Sequence, residues 1–270
     1  MATTTRGSQD ARAWLTLVTA AILALALLAG LLYAIATTLR GSRSVAADTA
    51  SPPTSSAGPA TSPTPSGSAR EDELAQRPML ALAPSAADPQ PLVSAVAGAP
   101  VRLPSPTRTV GDLASGFPHT SVGALAALAA IDSMALRDLR PAQVRQVYSW
   151  AALPGAVSLK DWRMNLAAEA ALEGAGVPEG SSDLQSTFTP LAVQVKGHVG
   201  RDFVVACVLG EWSLTYRSNA RAGIGDCQRM VWSRGRWRIG PGEQPASAPS
   251  AWPGSADAVR AGWRSVAHDQ

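Results

Sequence analysis

The sequence predicts an α+β domain, helices first and antiparallel strands after, carried behind one membrane span and a long linker. Three observations predict it. Apolar residues recur at helical spacing from Ser121 to Leu172, then switch to the strand period from Thr187 onward. Of the 14 aromatic residues, Trp14 and Tyr33 lie in an apolar amino-terminal run and the other 12 fall at or after Phe117. A stretch without aromatics buries little apolar surface, so no core is expected between Ala34 and Gly116. Finally, Ala13 to Leu39 holds no charged residue in 27 positions. The expected order is a cytoplasmic tail 1–12, a transmembrane helix 13–39, a Pro/Ser/Thr/Ala-rich disordered linker 40–107 and an extracytoplasmic domain 108–270.

The apolar run exceeds the roughly 20 residues that a helix needs to cross the hydrocarbon core. Asp10 and Arg12 flank one end, Arg40 and Arg43 the other, and Trp14 sits at the first interface. A cleaved signal peptide has a shorter core of about 7–15 residues, and Ala34-Ile35-Ala36 lies inside the run, so an uncleaved anchor is expected. Arginines balance on the two sides. Orientation therefore rests on the Ser/Thr/Pro linker and on a cysteine pair placed for a disulfide, which together put the large domain outside. The linker holds 12 of the 21 prolines, and such a chain cannot offset its ordering entropy by burial. Arg70–Gln76 is its one short helical stretch, expected to have little consequence.

In the domain, Thr120 or Ser121 caps a helix that is apolar nearly all round until Asp132, the first position expected to meet solvent. A second helix starts near Leu139 with Pro141 in its first turn and buries Val144, Val147, Tyr148 and Ala151. A third runs from Leu159 to Leu172 with Leu159, Trp162, Leu166 and Ala170 as its stripe. Thr187–Val195 reads as a strand with Pro190 at an edge or bulge, and Asp202–Leu209 as a central strand apolar on both faces. Glu211–Tyr216 continues it past a bulge at Gly210. Cys227–Trp232 and Arg236–Ile239 flank a hairpin, and Ala256–Val266 closes the chain as a helix. This order resembles the nuclear-transport-factor-2-like, cystatin-like cone, in which a curved sheet wraps a long helix.

Composition excludes several kinds of chemistry. Two cysteines are too few for a disulfide-rich scaffold or a Cys-ligated zinc site. Residues 108–270 carry 16 Lys+Arg against 14 Asp+Glu, a weak surplus for a nucleic-acid binder. His119, His198 and His268 have no partner at metal-ligand spacing, and neither Gly-x-Ser-x-Gly nor a phosphate loop occurs. Gly223-Ile224-Gly225 lacks a strand–helix context and reads as a loop. Cys207 and Cys227 fall on neighbouring strands and suit a disulfide; two inert thiols and a redox pair are the alternatives. Asp132, Tyr148 and Tyr216 are candidates for a cone-type ligand site by residue type alone. Arg229, Arg234, Arg236 and Arg238 interleave with Trp232 and Trp237, a pattern read as one solvated and one buried hairpin face rather than a nucleic-acid platform.

Gly116-Phe117-Pro118-His119-Thr120 with Gly123-Ala124, Val231-Trp232 with Gly235-Arg236-Trp237, Trp252-Pro253-Gly254-Ser255 and Ala261-Gly262-Trp263 together resemble a family of actinobacterial, Streptomyces-type single-pass membrane proteins. These are often linked to integrated conjugative elements. The resemblance covers roughly 108–266, and its motifs are structural, so it implies no catalytic residue, cofactor or metal. Its plan is similar to conjugation and type IV secretion assembly components, and equally to Mce-associated membrane proteins. The arginine-heavy, alanine-rich composition of a high-GC genome agrees. The expected function is a membrane-anchored, non-enzymatic scaffold that contacts other membrane or envelope proteins, or itself, and no nucleic acid. The alternative is an accessory or sensor protein binding a small ligand or lipid in the cone.

Overall fold

The computed structural model describes residues 67–178 and 181–267. The expected tail, the span 13–39 and the linker up to residue 66 lie outside the described residues, as does His268. Among the described residues, no helix is long and apolar enough to cross a membrane.

The domain is a mixed α+β unit built on a curled, mostly antiparallel sheet. In chain order it contains α1 (Gly67–Gln76), β1 (Val101–Arg102), a hairpin β2 (Arg108–Val110) and β3 (Leu113–Ser115), α2 (Ser121–Ala135), α3 (Pro141–Ala151) and α4 (Arg163–Gly174). Then follow β4 (Gln185–Val199), β5 (Phe203–Tyr216), β6 (Ser218–Ser233), β7 (Arg236–Ile239), α5 (Ala256–Arg260) and β8 (Arg264–Ala267). The six-stranded sheet has the order β1-β8-β4-β5-β6-β7, with β1 parallel to β8 and the other pairs antiparallel.

Side chains alternate along β5, so it serves two cores. Val204, Ala206 and Val208 face α2 and α3, with Leu125, Leu128, Ile131, Val144 and Val147. Phe203, Val205, Cys207 and Leu209 face the opposite layer, with Leu74, Ala75, Ala251, Ala258 and Trp263. The expectation of a central strand apolar on both faces holds. The Thr120 hydroxyl accepts from the Gly123 backbone N–H at 3.1 Å, as a helix cap does. A Cβ at Gly123 would stand 1.9 Å from the Pro118 carbonyl oxygen, so only glycine lets the chain turn there.

Several expectations need correction. The linker does not run to 107. α1 lies on the outer sheet face with Leu74 and Ala75 buried, and Pro84–Ala87 forms a one-turn helix whose Ala86 is also buried. This aromatic-free stretch builds no core of its own; it lays small apolar residues on a core supplied by β4–β6. Arg229 on β6, 4 % exposed, pairs with Asp72 at 2.8 Å and Glu71 at 3.8 Å, and Lys196 donates to the Ala75 carbonyl at 2.7 Å. β5 and β6 pair without a shift, so the bulge expected at Gly210 is not found there, whereas the one expected at Pro190 is, between Pro190 and Ala192. Proline has no N–H to give the ladder, so the irregularity follows it. Gly210 makes room: its Cβ would lie 2.4 Å from the Phe188 ring.

The third helix begins at Arg163, after a 3-10 turn at Leu159–Asp161. That start sets its buried face as Met164, Asn165 and Ala168, leaving Leu166 and Ala170 outside. The last helix stops at Arg260; Gly262, at φ +84°, turns the chain into β8. β6 starts nine residues earlier than the hairpin reading, because Ser218–Asp226 pairs along β5 with no apolar alternation to announce it.

Leu74 enters a space that Gly197 leaves open at the second β4 bulge, where a Cβ would meet it at 2.5 Å. Leu74→Ala is therefore expected to lower unfolding stability by about 2–4 kcal/mol in denaturant melts of the full chain. A free linker helix would show no change.

Candidate functional site

The sequence-predicted pair Cys207 and Cys227 stand directly opposite each other on β5 and β6 and form a disulfide. Both are fully buried on the outer face, where the Cys227 sulfur approaches Met79 Sδ at 3.6 Å. Closing this 20-residue separation contributes about 3 kcal/mol. It is a staple under the α1 layer.

The unexpected cluster lies on the inner face. Asp132, expected to be the first solvated position of its helix, is fully buried. α2 runs on to Ala135, so this turn still faces the sheet. Asp226, opposite Val208 on β6, is equally buried and points to the same side. Among the described residues, neither carboxyl oxygen of Asp132 has a hydrogen-bond partner, nor has Asp226 Oδ1. Asp226 Oδ2 accepts from Gln228 Nε2 at 2.8 Å. Gln244 Oε1 in turn lies 3.5 Å from Gln228 Nε2 and accepts the Arg163 backbone N–H at 3.0 Å. Gln244 Nε2 donates to the Asp161 carbonyl, and its own carbonyl accepts from Gln76 Nε2. One glutamine thus joins α1, the start of α4 and the buried acid on β6.

Burial holds the Asp132 carboxyl well above the usual carboxylate range, and the neighbouring Asp226 pushes it further. Burial raises Asp226 too, opposed by the Gln228 hydrogen bond, the Arg163 charge and the Cys227 backbone N–H. A buried acid pair with three unmatched oxygens can hold a proton, or can accept and donate hydrogen bonds to a group entering between helix and sheet.

The other candidates scatter. The Tyr148 hydroxyl donates to the Val157 carbonyl, and burial raises its pKa. Tyr216 ends β5 with the Arg217 guanidinium over its ring. His119, at the turn before α2, stacks on Trp232 with ring centroids 4.3 Å apart. Its Nε2 lies 2.7 Å from Asp202 Oδ1, close enough for an ion pair though misaligned for a hydrogen bond. His198 Nδ1 lies 3.0 Å from the Gly200 carbonyl oxygen in a turn. Arg229 is buried among acids of α1, whereas Arg234, Arg236 and Arg238 gather at the β6–β7 end. Two surface grooves, one lined by Arg102, Pro104 and Val122 and the other by Asp112, Met134 and Phe188, are not lined by the acid pair.

Sequence reasoning missed Asp226, Gln228, Arg163 and Gln244. One signal was available: Asp226, Gln228 and Met230 share strand parity, so an inward Met230 carries both polar residues inward. Compared with protein-family models, curated proteins and solved structures, the chain matches none.

Both acids have folded-state pKa values above their unfolded ones, so the native state holds extra protons. The stability they contribute is fully present below the unfolded carboxylate value, about 4, and is lost as pH rises through the raised values. Asp132→Asn should melt with wild type near pH 4 and above it at pH 8, by about 1–3 kcal/mol. Thermal scans across that range check it; a gap independent of pH would dissociate the acid from this linkage.

Proposed function

We propose that the chain is a membrane-anchored, non-enzymatic assembly component of a conjugation- or secretion-type apparatus, acting through protein contacts of an outer, nuclear-transport-factor-2-like domain. The observation that carries this reading is the placing of apolar surface. Among the described residues, four of the six exposed large hydrophobics, Leu80, Leu92, Val93 and Val96, lie in one stretch of the chain, 80–96. Leu92 is 73 % and Val96 68 % exposed. Side chains of this kind concentrated on one segment suit a partner surface. The filled inner face adds support, since α2 occupies the hollow of the sheet with Leu125, Leu128 and Ile131. The charge-free run 13–39 and the disulfide support an anchor and an oxidising compartment.

A second reading, an accessory or sensor protein binding a small ligand or lipid in the cone, is favoured by the unmatched oxygens of Asp132 and Asp226. In-cell crosslinking of the full-length chain, followed by mass spectrometry, separates the two. Capture of other membrane subunits of one machine is expected, and Leu92→Asp with Val96→Asp should reduce it about tenfold. Recovery of the chain alone with a bound lipid would turn the assignment to the sensor.

Orientation is checked with a membrane-impermeant thiol reagent on intact cells. Cys207 and Cys227 are expected to label only after reduction and partial unfolding from outside. Thiols that label without reductant, and only after lysis, would put the domain in the cytoplasm.

A further inference from the structure

Four arginines converge where the β6–β7 hairpin meets the end of α3 and the β2–β3 hairpin. Arg234 and Gly235 form the turn, at φ +50° and +77°. Arg236 and Arg238 follow on β7, two residues apart and therefore on one side of the strand. Arg108 reaches across from β2 and donates to the Gly235 carbonyl. Arg236 donates to the Trp150 carbonyl at 3.0 Å, and Arg238 to the Ala152 carbonyl. These two carbonyls end α3, where a helix leaves acceptors unsatisfied and favours positive charge.

Capping a helix end accounts for one or two cations here, not four. Each guanidinium has five N–H donors, and the carbonyl contact uses one of them in Arg108, Arg236 and Arg238. Among the described residues none of the four is ion-paired with a carboxylate. Asp202, on the neighbouring turn, is engaged by His119. Elsewhere Arg221, Arg229 and Arg260 have acidic partners, and Arg163 and Arg264 donate to backbone carbonyls but stand apart from the arginines of this group. The charges also act on one another. Burial foremost, and then Arg238 and Arg108 acting on Arg236, and Arg234 acting on Arg238, lower the pKa of both half-buried guanidiniums. A repelling group of charges held in place by backbone carbonyls is a preorganised acceptor for an anion.

We propose that Arg108, Arg234, Arg236 and Arg238 form a binding site for a phosphate-bearing polyanion. Guanidinium forks match pairs of phosphate oxygens, and several arginines together match a chain or surface of phosphates better than one carboxylate. Two sources share this chemistry, a soluble condensed phosphate and the headgroups of an anionic bilayer. The site stands beside the protein contacts proposed above and does not depend on them.

The test uses the purified full-length chain in a neutral detergent, titrated with inorganic tripolyphosphate, and the same chain reconstituted at low density for flotation exchange against vesicles of phosphatidylcholine with or without phosphatidylglycerol. Binding to at least one phosphate probe is expected, and Arg236→Gln with Arg238→Gln should weaken it about tenfold. Arg217→Asn, at the far end of β6, should leave it unchanged. Tripolyphosphate alone identifies a soluble polymer, and phosphatidylglycerol vesicles alone identify headgroups. Should the double variant unfold, Arg234→Asn at the exposed turn provides the same comparison, with a loss of about threefold. Failure to bind either probe, affinity untouched by these changes, or an equal loss in Arg217→Asn would overturn the site.

Discussion

Strand β5 must be covered on both faces, and most of the domain is arranged to cover it. Its odd-numbered side chains Phe203, Val205, Cys207 and Leu209 need one layer, and Val204, Ala206 and Val208 need another. The inner layer is substantial, with α2 and α3 lying in the hollow of the sheet. Among the described residues the outer layer has no long helix. It is assembled from α1, the 3-10 turn at Pro84–Ala87, the segment ending in Ala251 and Trp252, and α5. Such thin cover explains why the disulfide sits on that side, where it holds β5 to β6 without relying on bulk above it.

The pieces of the outer layer are sewn down by polar contacts. Arg229 reaches α1 through Asp72 and Glu71, stacking its guanidinium over Phe203 at 5.1 Å. Gly223 admits the strap directly: a Cβ there would stand 1.9 Å from the Ala251 carbonyl oxygen. Trp263 donates from its indole to the Pro249 carbonyl. Gln244 does the equivalent at the margin between layers, and reaches inward to the acid pair through Gln228. Protonation of the inner acids and the seating of the outer layer therefore share one hydrogen-bonded path.

The sequence showed its helices and central strand because each carries a one-sided or two-sided apolar pattern. α2 and α3 were legible as Leu125, Leu128, Val144 and Val147 at helical spacing, and β5 as an unbroken apolar run. What was hidden had no pattern of its own. α1 was legible as a short helix at Arg70–Gln76, but not its seating on the sheet, which is made by residues more than a hundred positions away, such as Lys196. The first half of β6 is polar and glycine-rich, and is a strand because β5 offers it a ladder. The cysteine pair was legible from strand adjacency. The acid pair was half legible: Asp132 stood out, but its burial followed from one extra helical turn, and Asp226 was masked by its polar neighbours.

The pairing of β1 with β8 bears on how the chain reaches its structure. These strands join Val101–Arg102 to Val266–Ala267, and Arg264 grips the Ala99 carbonyl across 165 residues. A chain made from its amino terminus exposes α1 and β1 long before β4, β6 and β8 exist to receive them. The contacts that seat α1 and β1 are thus distant in sequence, and loops that long must close before any of them is rewarded. The inner half, from α2 to α3, is local and can form early. Within the described residues the order of events is consequently reversed relative to the order of the chain: α1 and β1, made before the sheet, are among the last to settle. Until then they remain open to proteases and to any chaperone that binds extended chain.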